Sequence, residues 1–128
     1  MNRTAKANAD AARRALLKSV KESAVIKEVQ AVIDATGLQV QRLNTGAFVT
    51  GTGNNRRFVR SAKKGTLDFE GYDNRGRFLA IECKRPVGGR VSEDQAARIE
   101  DINKKGGIAF TVTSGAEALN LLEINNCI

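Results

Sequence analysis

The sequence predicts an α/β fold, with a central mixed β-sheet flanked by helices. Three segments, at residues 19–37, 92–106 and 114–122, have the apolar spacing and the start signals of amphipathic helices. Short apolar runs typical of strands lie between them, and the clearest are 77–84 and 108–113. The predicted order is helix, three strands, helix, strand and helix.

The first of these helices is predicted to begin at Ser19, because Ser19 and Glu22 have the spacing of a capping box. Gly37 is its predicted end. Residues 1–18 are rich in alanine and carry five basic residues against one acid, which predicts a basic N-terminal arm or helix. Residues 19–128 are expected to form one domain, since 128 residues suffice for a single core.

The first strand is predicted over 38–42, and the next two form a hairpin around a turn at 73–76. Ser92 and Gln95 have the spacing of a second capping box, and Ile99 and Ile102 mark the apolar face of the helix that follows. Ser114 and Glu117 repeat this spacing at the start of the closing helix.

Composition excludes several classes of function. The chain has no histidine, so His-based general bases, Ser-His-Asp triads and most zinc sites are excluded. Its two cysteines, Cys83 and Cys127, are interpreted as free thiols. No run approaches the ~20 apolar residues of a membrane span, and the polar amino terminus lacks the apolar core of a secretory signal. We therefore expect no membrane partner and a cytoplasmic location.

The net charge of +7 and the isoelectric point near 9.9 favour an anionic partner, of which nucleic acid is the commonest in such a domain. The alternative is a solvated basic face without a ligand. The polar and basic residues that precede Asp68 are predicted to contact phosphates, which position a substrate without reading its sequence. These residues are Arg42, Asn44, Thr45, Arg57, Arg60, Lys63 and Lys64.

The candidate active site consists of Asp68 on one strand of the hairpin and Glu82-Cys83-Lys84 on the next. Side chains alternate along a strand, so Glu82 and Lys84 share a face and Cys83 points away. Two carboxylates that converge in this way suit Mg²⁺ or Mn²⁺. Lys84 would orient or deprotonate an attacking water, or hold the phosphate, depending on its protonation state.

The alternative is that Glu82 and Lys84 are an exposed pair on a half-solvated strand. Against it, the preceding apolar run 78–81 indicates a strand buried on both faces, where an unpartnered Glu and Lys would be costly.

The ordered motifs resemble a VRR-NUC domain, a virus-type branch of the PD-(D/E)XK nuclease superfamily. The resemblance covers roughly residues 22–118 and includes the 42–47 and 106–113 segments. Leu67 stands where that family has proline before the aspartate. The motifs that carry the resemblance are Lys64-Gly65-Thr66-Leu67-Asp68, Gly76-Arg77-Phe78, Ile81-Glu82-Cys83-Lys84-Arg85-Pro86 and Gln95.

The resemblance implies a restriction-endonuclease-like core in which Asp68 and Glu82 bind the metal and Cys83 adds its backbone carbonyl. It also implies that Lys84 works beside the attacking water and that Gln95 lies near the site. A structural alternative for Gln95 is that it only closes the capping box with Ser92.

The family's first helix also carries a metal-site glutamate, for which Glu22 and Glu28 are candidates. Helical geometry favours Glu22, which shares the direction of the apolar face, whereas Glu28 lies at its margin. Its structural alternative is the capping box with Ser19.

The expected activity is Mg²⁺- or Mn²⁺-dependent hydrolysis of phosphodiesters in branched DNA. Stand-alone members that resemble this chain are dimers that act on four-way junctions, which implies a homodimeric Holliday-junction resolvase in the cytosol of a bacterium or a phage-infected host. The alternatives are a nuclease of the same fold that acts on flaps or plain duplex, and a non-catalytic DNA-binding module.

Overall fold

The computed structural model describes residues 2–43, 47–60 and 63–128, and for residues 47–49 and 58–60 the backbone alone. The helices in these ranges are α1 (Arg3–Lys18), α2 (Glu22–Thr36), α3 (Glu93–Lys104) and α4 (Gly115–Ile124). The strands are β1 (Gln39–Arg42), β2 (Ala47–Thr50), β3 (Arg57–Arg60), β4 (Phe69–Tyr72), β5 (Phe78–Cys83) and β6 (Ile108–Val112).

The central sheet has four strands in the order β1-β4-β5-β6. The β1-β4 and β4-β5 pairs are antiparallel, and Phe69 lies opposite Ile81 in the second of them. The β5-β6 pair is parallel and places Cys83 beside Val112. The prediction of an α/β fold with a mixed sheet and flanking helices is therefore confirmed.

Helices cover both faces of this sheet. Alternate residues of β5 divide between two apolar clusters, because successive side chains of a strand point to opposite faces. Leu79, Ile81 and Cys83 pack with α2 and α4, whereas Ala80 packs with α3. The larger cluster comprises Val25, Val29, Ile33, Leu38, Val40, Phe69, Leu79, Ile81, Cys83, Val112, Ala118, Leu122 and Cys127.

The predicted capping box at the start of α2 is wrong. Ser19 ends α1 instead, and its hydroxyl donates to the carbonyl oxygen of Leu16 at 2.8 Å. Lys21 precedes the first residue of α2 and makes no side-chain capping bond. The helical pattern of residues 1–18 continues to Lys18, so Ser19 serves the end of one helix and not the start of the next. The end of α2 is as predicted, with Gly37 at a left-handed φ of 70°.

The sequence also failed to predict the hairpin of β2 and β3, which pair with each other in a separate antiparallel sheet. The apolar residues of each strand are adjacent in the sequence and do not alternate with polar ones, which is the pattern by which strands are recognised. The strand from Phe78 and the helix from Glu93 match the prediction closely.

A buried carboxylate fixes the turn between β4 and β5. The Asp73 carboxylate accepts the N–H groups of Arg75 and Arg77 at 2.9 and 2.8 Å, and the Nε of Arg77 at 2.8 Å. Burial raises the pKa of Asp73, but these hydrogen bonds and the guanidinium outweigh it and lower the pKa below its usual value. Arg77 also donates to the carbonyl oxygen of Asn125 at 2.6 Å, which ties the turn to the end of α4.

Two further predictions from composition concern membrane spans and the state of the cysteines. Within the described residues, no helix has both the length and the apolar character needed to cross a membrane. Cys83 and Cys127 are both free, as the sequence indicated, and the structure also buries both side chains.

Candidate active site

Asp68 and Glu82 lie close together where β4 and β5 pair and are both buried, with 6% and 2% of their surfaces exposed. Asp68 precedes β4 by one residue, and Glu82 lies inside β5. The backbone N–H of Asp68 donates to Oε1 of Glu82 at 3.1 Å, and the backbone N–H of Cys83 donates to Oδ2 of Asp68 at 2.8 Å. Each carboxylate thus accepts a backbone N–H from the segment that carries the other, so the two converge as predicted.

Proximity of the two carboxyl groups disfavours their simultaneous ionisation. Burial raises the pKa of Glu82, and the negative charge of Asp68 and a hydrogen bond with Asp68 raise it further. Lys84 opposes these effects, and the resulting pKa lies at about 7. A divalent cation between the two would favour the ionised form of both.

Lys84 completes the cluster as a cation. It follows β5, and its backbone N–H donates to the carbonyl oxygen of Val112 at 2.9 Å. Its Nζ lies 3.0 Å from Oε2 of Glu82 and 3.8 Å from Oε1 of Glu22. Burial lowers the pKa of Lys84, but its bond to Glu82 and the charges of Glu82, Glu22 and Asp68 outweigh this and raise it. The structure therefore favours Lys84 as a charged ammonium that holds a phosphate or orients a water, and not as a neutral base that deprotonates the water.

Gln95 performs both of the tasks that the sequence presented as alternatives. Its Oε1 accepts the backbone N–H of Ser92 at 3.1 Å, and its backbone N–H donates to the Ser92 hydroxyl at 3.1 Å, which completes the capping box of α3. Its Nε2 simultaneously donates to Oε2 of Glu82. The cap therefore fixes the side chain that orients the buried carboxylate.

The two glutamates of α2 have different surroundings. Glu22 is the first residue of α2, and its half-exposed side chain faces Lys84. Glu28 instead accepts the backbone N–H of Gly115 at 3.0 Å, at the start of α4. Close packing there leaves no room for a Cβ at Gly115, which would lie 2.9 Å from Cβ of Glu28. Of the two candidates, the structure brings only Glu22 to the site.

Cys83 places its backbone at the site and its side chain in the core. Burial, followed by the charges of Asp68 and Glu82, raises the pKa of its thiol, so the sulfur is not a ready thiolate ligand. The backbone carbonyl of Cys83 as a metal ligand remains a prediction.

The donors at this site fit Mg²⁺ or Mn²⁺ better than a softer metal. In the described ranges, no three His, Cys, Asp or Glu residues are grouped so as to hold a metal ion by themselves. Two carboxylates are nevertheless the usual protein contribution to a Mg²⁺ site, where waters and substrate phosphates supply the other oxygens. Asp68 and Glu82 would hold such an ion, and Glu22 reaches the cluster through Lys84.

The predicted phosphate-contacting residues divide into three groups. Lys63 and Lys64 lie in the exposed turn that leads to Asp68, and Lys64 pairs with Asp94 at 3.1 Å. Arg42 ends β1 with its guanidinium 6.0 Å from the Phe69 ring centre, and the exposed Arg57 begins β3. For Arg60 only the backbone is described, and Asn44 and Thr45 lie outside the described residues.

Two supporting contacts were not predicted from the sequence. Glu70 accepts two hydrogen bonds from the Arg98 guanidinium, each at 3.0 Å, which ties β4 to α3 beside the site. The signal was present, because Glu70 is two residues after Asp68 and Arg98 is three after Gln95. A Cβ at Gly89 would lie 3.0 Å from Cβ of Lys84 and 2.6 Å from the Arg85 carbonyl oxygen. The loop after β5 therefore packs closely against Lys84.

Comparison of the chain with protein-family models, with curated proteins and with solved structures finds no match. The resemblance to VRR-NUC domains therefore rests on the sequence motifs.

Proposed function

We propose that this protein is a metal-dependent DNA endonuclease with a restriction-endonuclease-like core, and that it cuts branched DNA, with four-way junctions as the preferred substrate. The observation that carries the proposal is the buried Asp68–Glu82 pair with the Lys84 ammonium 3.0 Å from Glu82. Asp68 directly precedes β4, Glu82 lies inside β5 and Lys84 directly follows it, so this strand pair brings the three groups together. The resemblance implies the same three residues.

Each residue of the site has a distinct task in this proposal. Asp68 and Glu82 hold the cation, and Gln95 keeps the Glu82 carboxylate oriented toward it. When bound, Mg²⁺ or Mn²⁺ would activate water and neutralise charge that develops on the scissile phosphate. Lys84, charged and tethered to Glu82, holds a phosphate oxygen or orients the attacking water. Hydrolysis adds one water across a P–O bond of the phosphodiester, so that one piece of the cut strand ends in a phosphate and the other in a hydroxyl.

Charge and the surrounding turns support a nucleic-acid substrate. The chain carries a net charge of +7, and the turn with Lys63 and Lys64 leads directly into Asp68. Phosphate contacts of this kind recognise backbone and shape, as a structure-selective enzyme requires. A homodimer in the cytosol would present two such sites related by a twofold axis, which suits paired cuts in a four-way junction.

The experiment is cleavage of labelled four-way junction, flap and plain duplex DNA by the full chain in Mg²⁺, in Mn²⁺ and in EDTA. The proposal expects paired nicks in the junction, metal dependence, and slower cleavage of the other two substrates. Faster cutting of flaps or of plain duplex would support metal-dependent hydrolysis but would contradict the preference for four-way junctions. Binding of all three without cleavage in either metal would overturn the proposal in favour of a binding module.

A further inference from the structure

The N-terminal helix α1 has no role in the core. It spans Arg3–Lys18, none of its residues is buried, and Leu16 and Leu17 near its end are 73% and 46% exposed. Its first turn is capped by Asn2, whose side chain accepts the N–H of Ala5 at 2.8 Å. An isolated helix of this length is only marginally stable in water. A partner that binds its surface would therefore also stabilise it.

Charge on this helix is concentrated on one side. At about 100° per residue, the five basic side chains fall within an arc of about 140°. Asp10 is the only acid in the helix, and it pairs with Arg13 at 2.8 Å. Asp10, Ala7 and Leu17 also lie within this arc, and the remaining alanines, Thr4, Asn8 and Leu16 lie on the other side. This side has too few large apolar residues for a helix that inserts into a membrane surface. The basic side chains are Arg3, Lys6, Arg13, Arg14 and Lys18.

The carboxyl end of α1 is fixed close to the candidate active site. The backbone N–H of Val20 donates to the Leu17 carbonyl oxygen at 3.2 Å, and the side chain of Val20 packs against the core. Two residues later, Glu22 lies 3.8 Å from Nζ of Lys84. At 1.5 Å per residue, the 16 residues of α1 extend about 24 Å from this point. That length corresponds to about seven base pairs of duplex at 3.4 Å each.

We propose that the basic side of α1 binds along the phosphate backbone of the duplex arm next to the cut, and so extends the DNA contact by about seven base pairs. This inference rests on the proposed nuclease function. The complementarity between a cationic helix side and a polyanion selects DNA over a second copy of the chain, whose net charge of +7 is of the same sign.

The test is equilibrium binding of the full chain to duplexes of increasing length, in EDTA, across a range of salt concentrations. The variant is Arg13→Gln with Arg14→Gln, in which glutamine preserves the helix propensity of arginine. The matched control is Lys104→Gln with Lys105→Gln, which removes the same charge at the exposed end of α3. Each phosphate contact contributes about 0.9 to the slope of log affinity against log salt.

We expect the variant to lower that slope by about 1.8 and the control to leave it unchanged. We also expect the affinity of the wild type to rise as the duplex lengthens to about seven base pairs beyond the site. Equal slopes for wild type and variant, or an equal loss in the control, would overturn the inference. If the variant sediments as a smaller species than the wild type while its slope is unchanged, the inference is also overturned. That result would assign α1 to self-association.

Because binding is measured in EDTA, the result is independent of catalysis. A reduced slope without any cleavage in metal would retain the role of α1 and reject the nuclease.

Discussion

The backbone N–H of Asp68 donates to the Glu82 carboxylate at 3.1 Å, while the Asp68 carboxylate accepts the N–H of the residue after Glu82 at 2.8 Å. This reciprocal arrangement places two acids close together in a buried position. Such proximity is unfavourable when both are ionised, and it is useful to a protein that binds a divalent cation. The predictions below follow from this relationship and from the contacts around it.

The free energy of unfolding of the metal-free protein should depend on Glu82. Its pKa is raised from 4.5 to about 7 in the folded protein, so the folded state binds the proton more tightly than the unfolded state. The resulting stability is present below pH 4.5 and is lost as the pH rises to about 7, by up to roughly 3 kcal/mol. Urea denaturation from pH 4 to 8 in EDTA measures it. Glu82→Gln, which resembles the protonated form, should remove this part of the pH dependence, and an unchanged profile would contradict the raised pKa.

Affinity for Mn²⁺ should rise with pH over the same range, because the metal must displace the proton from Glu82. Below pH 7 we expect an increase of about tenfold per pH unit, as for the loss of one proton. Titration calorimetry of the full chain without DNA measures it. Affinity that is constant from pH 5 to 7 would place the metal away from Glu82.

Gln95 and Ser92 share one capping box, but only Gln95 contacts Glu82. Ser92→Ala and Gln95→Ala should each destabilise the protein by about 1 kcal/mol. Only Gln95→Ala should also slow cleavage, by roughly 10- to 100-fold, because it frees the carboxylate that holds the metal. Thermal denaturation and single-turnover cleavage of both variants separate the two effects. Equal cleavage rates for Ser92→Ala and Gln95→Ala would show that Gln95 acts only as part of the helix cap.

The two glutamates of α2 should respond differently to the same substitution. Glu22→Ala removes the carboxylate that lies 3.8 Å from Lys84, and we expect slower cleavage with nearly unchanged stability. Glu28→Ala leaves the N–H of Gly115 without its acceptor, and we expect a loss of about 1 kcal/mol with wild-type cleavage. Chemical denaturation and cleavage of both proteins test this. The reverse pattern would assign the site glutamate to Glu28.

The turn at Asp73 should stabilise the fold without affecting catalysis. Asp73→Ala leaves Nε of Arg77 and two backbone N–H groups without their acceptor, and should destabilise the protein by about 3 kcal/mol. Because the pKa of Asp73 is lowered, its contribution is present above pH 3.8 and is lost as the pH falls. Arg75→Ala, which removes only an exposed side chain, is the control and should change stability by less than about 0.5 kcal/mol.

Much of the fold was predictable because its signals are local. Each of these signals depends on residues that are close in the sequence. They are the periodicity of α2, the left-handed Gly37 and the capping box of Ser92 with Gln95. The Ser19 error arose from the same local pattern, since Ser19 also satisfies the requirements of a helix end. The β2-β3 hairpin was missed because the apolar residues of each strand are adjacent in the sequence, as in Phe58-Val59, and do not alternate with polar ones.

The site was predictable in part, since strand alternation and a hairpin turn bring Asp68, Glu82 and Lys84 together. The separate tasks of Glu22 and Glu28 depend on contacts with Lys84 and Gly115, which lie 62 and 87 residues further along the chain. No local pattern encodes such contacts, and helical geometry distinguished the two glutamates only by direction. The second role of Gln95 depends likewise on how α3 packs against the sheet.

The most direct test of the central claim is single-turnover cleavage of a four-way junction in Mn²⁺ by the wild type, Glu82→Gln and Glu100→Gln. Glu100 lies exposed on α3 and receives the same substitution as a control. We predict symmetric nicks by the wild type and the control, and a loss of at least about 100-fold in Glu82→Gln. Cleavage by Glu82→Gln at the wild-type rate would show that the buried carboxylate pair is not the catalytic site.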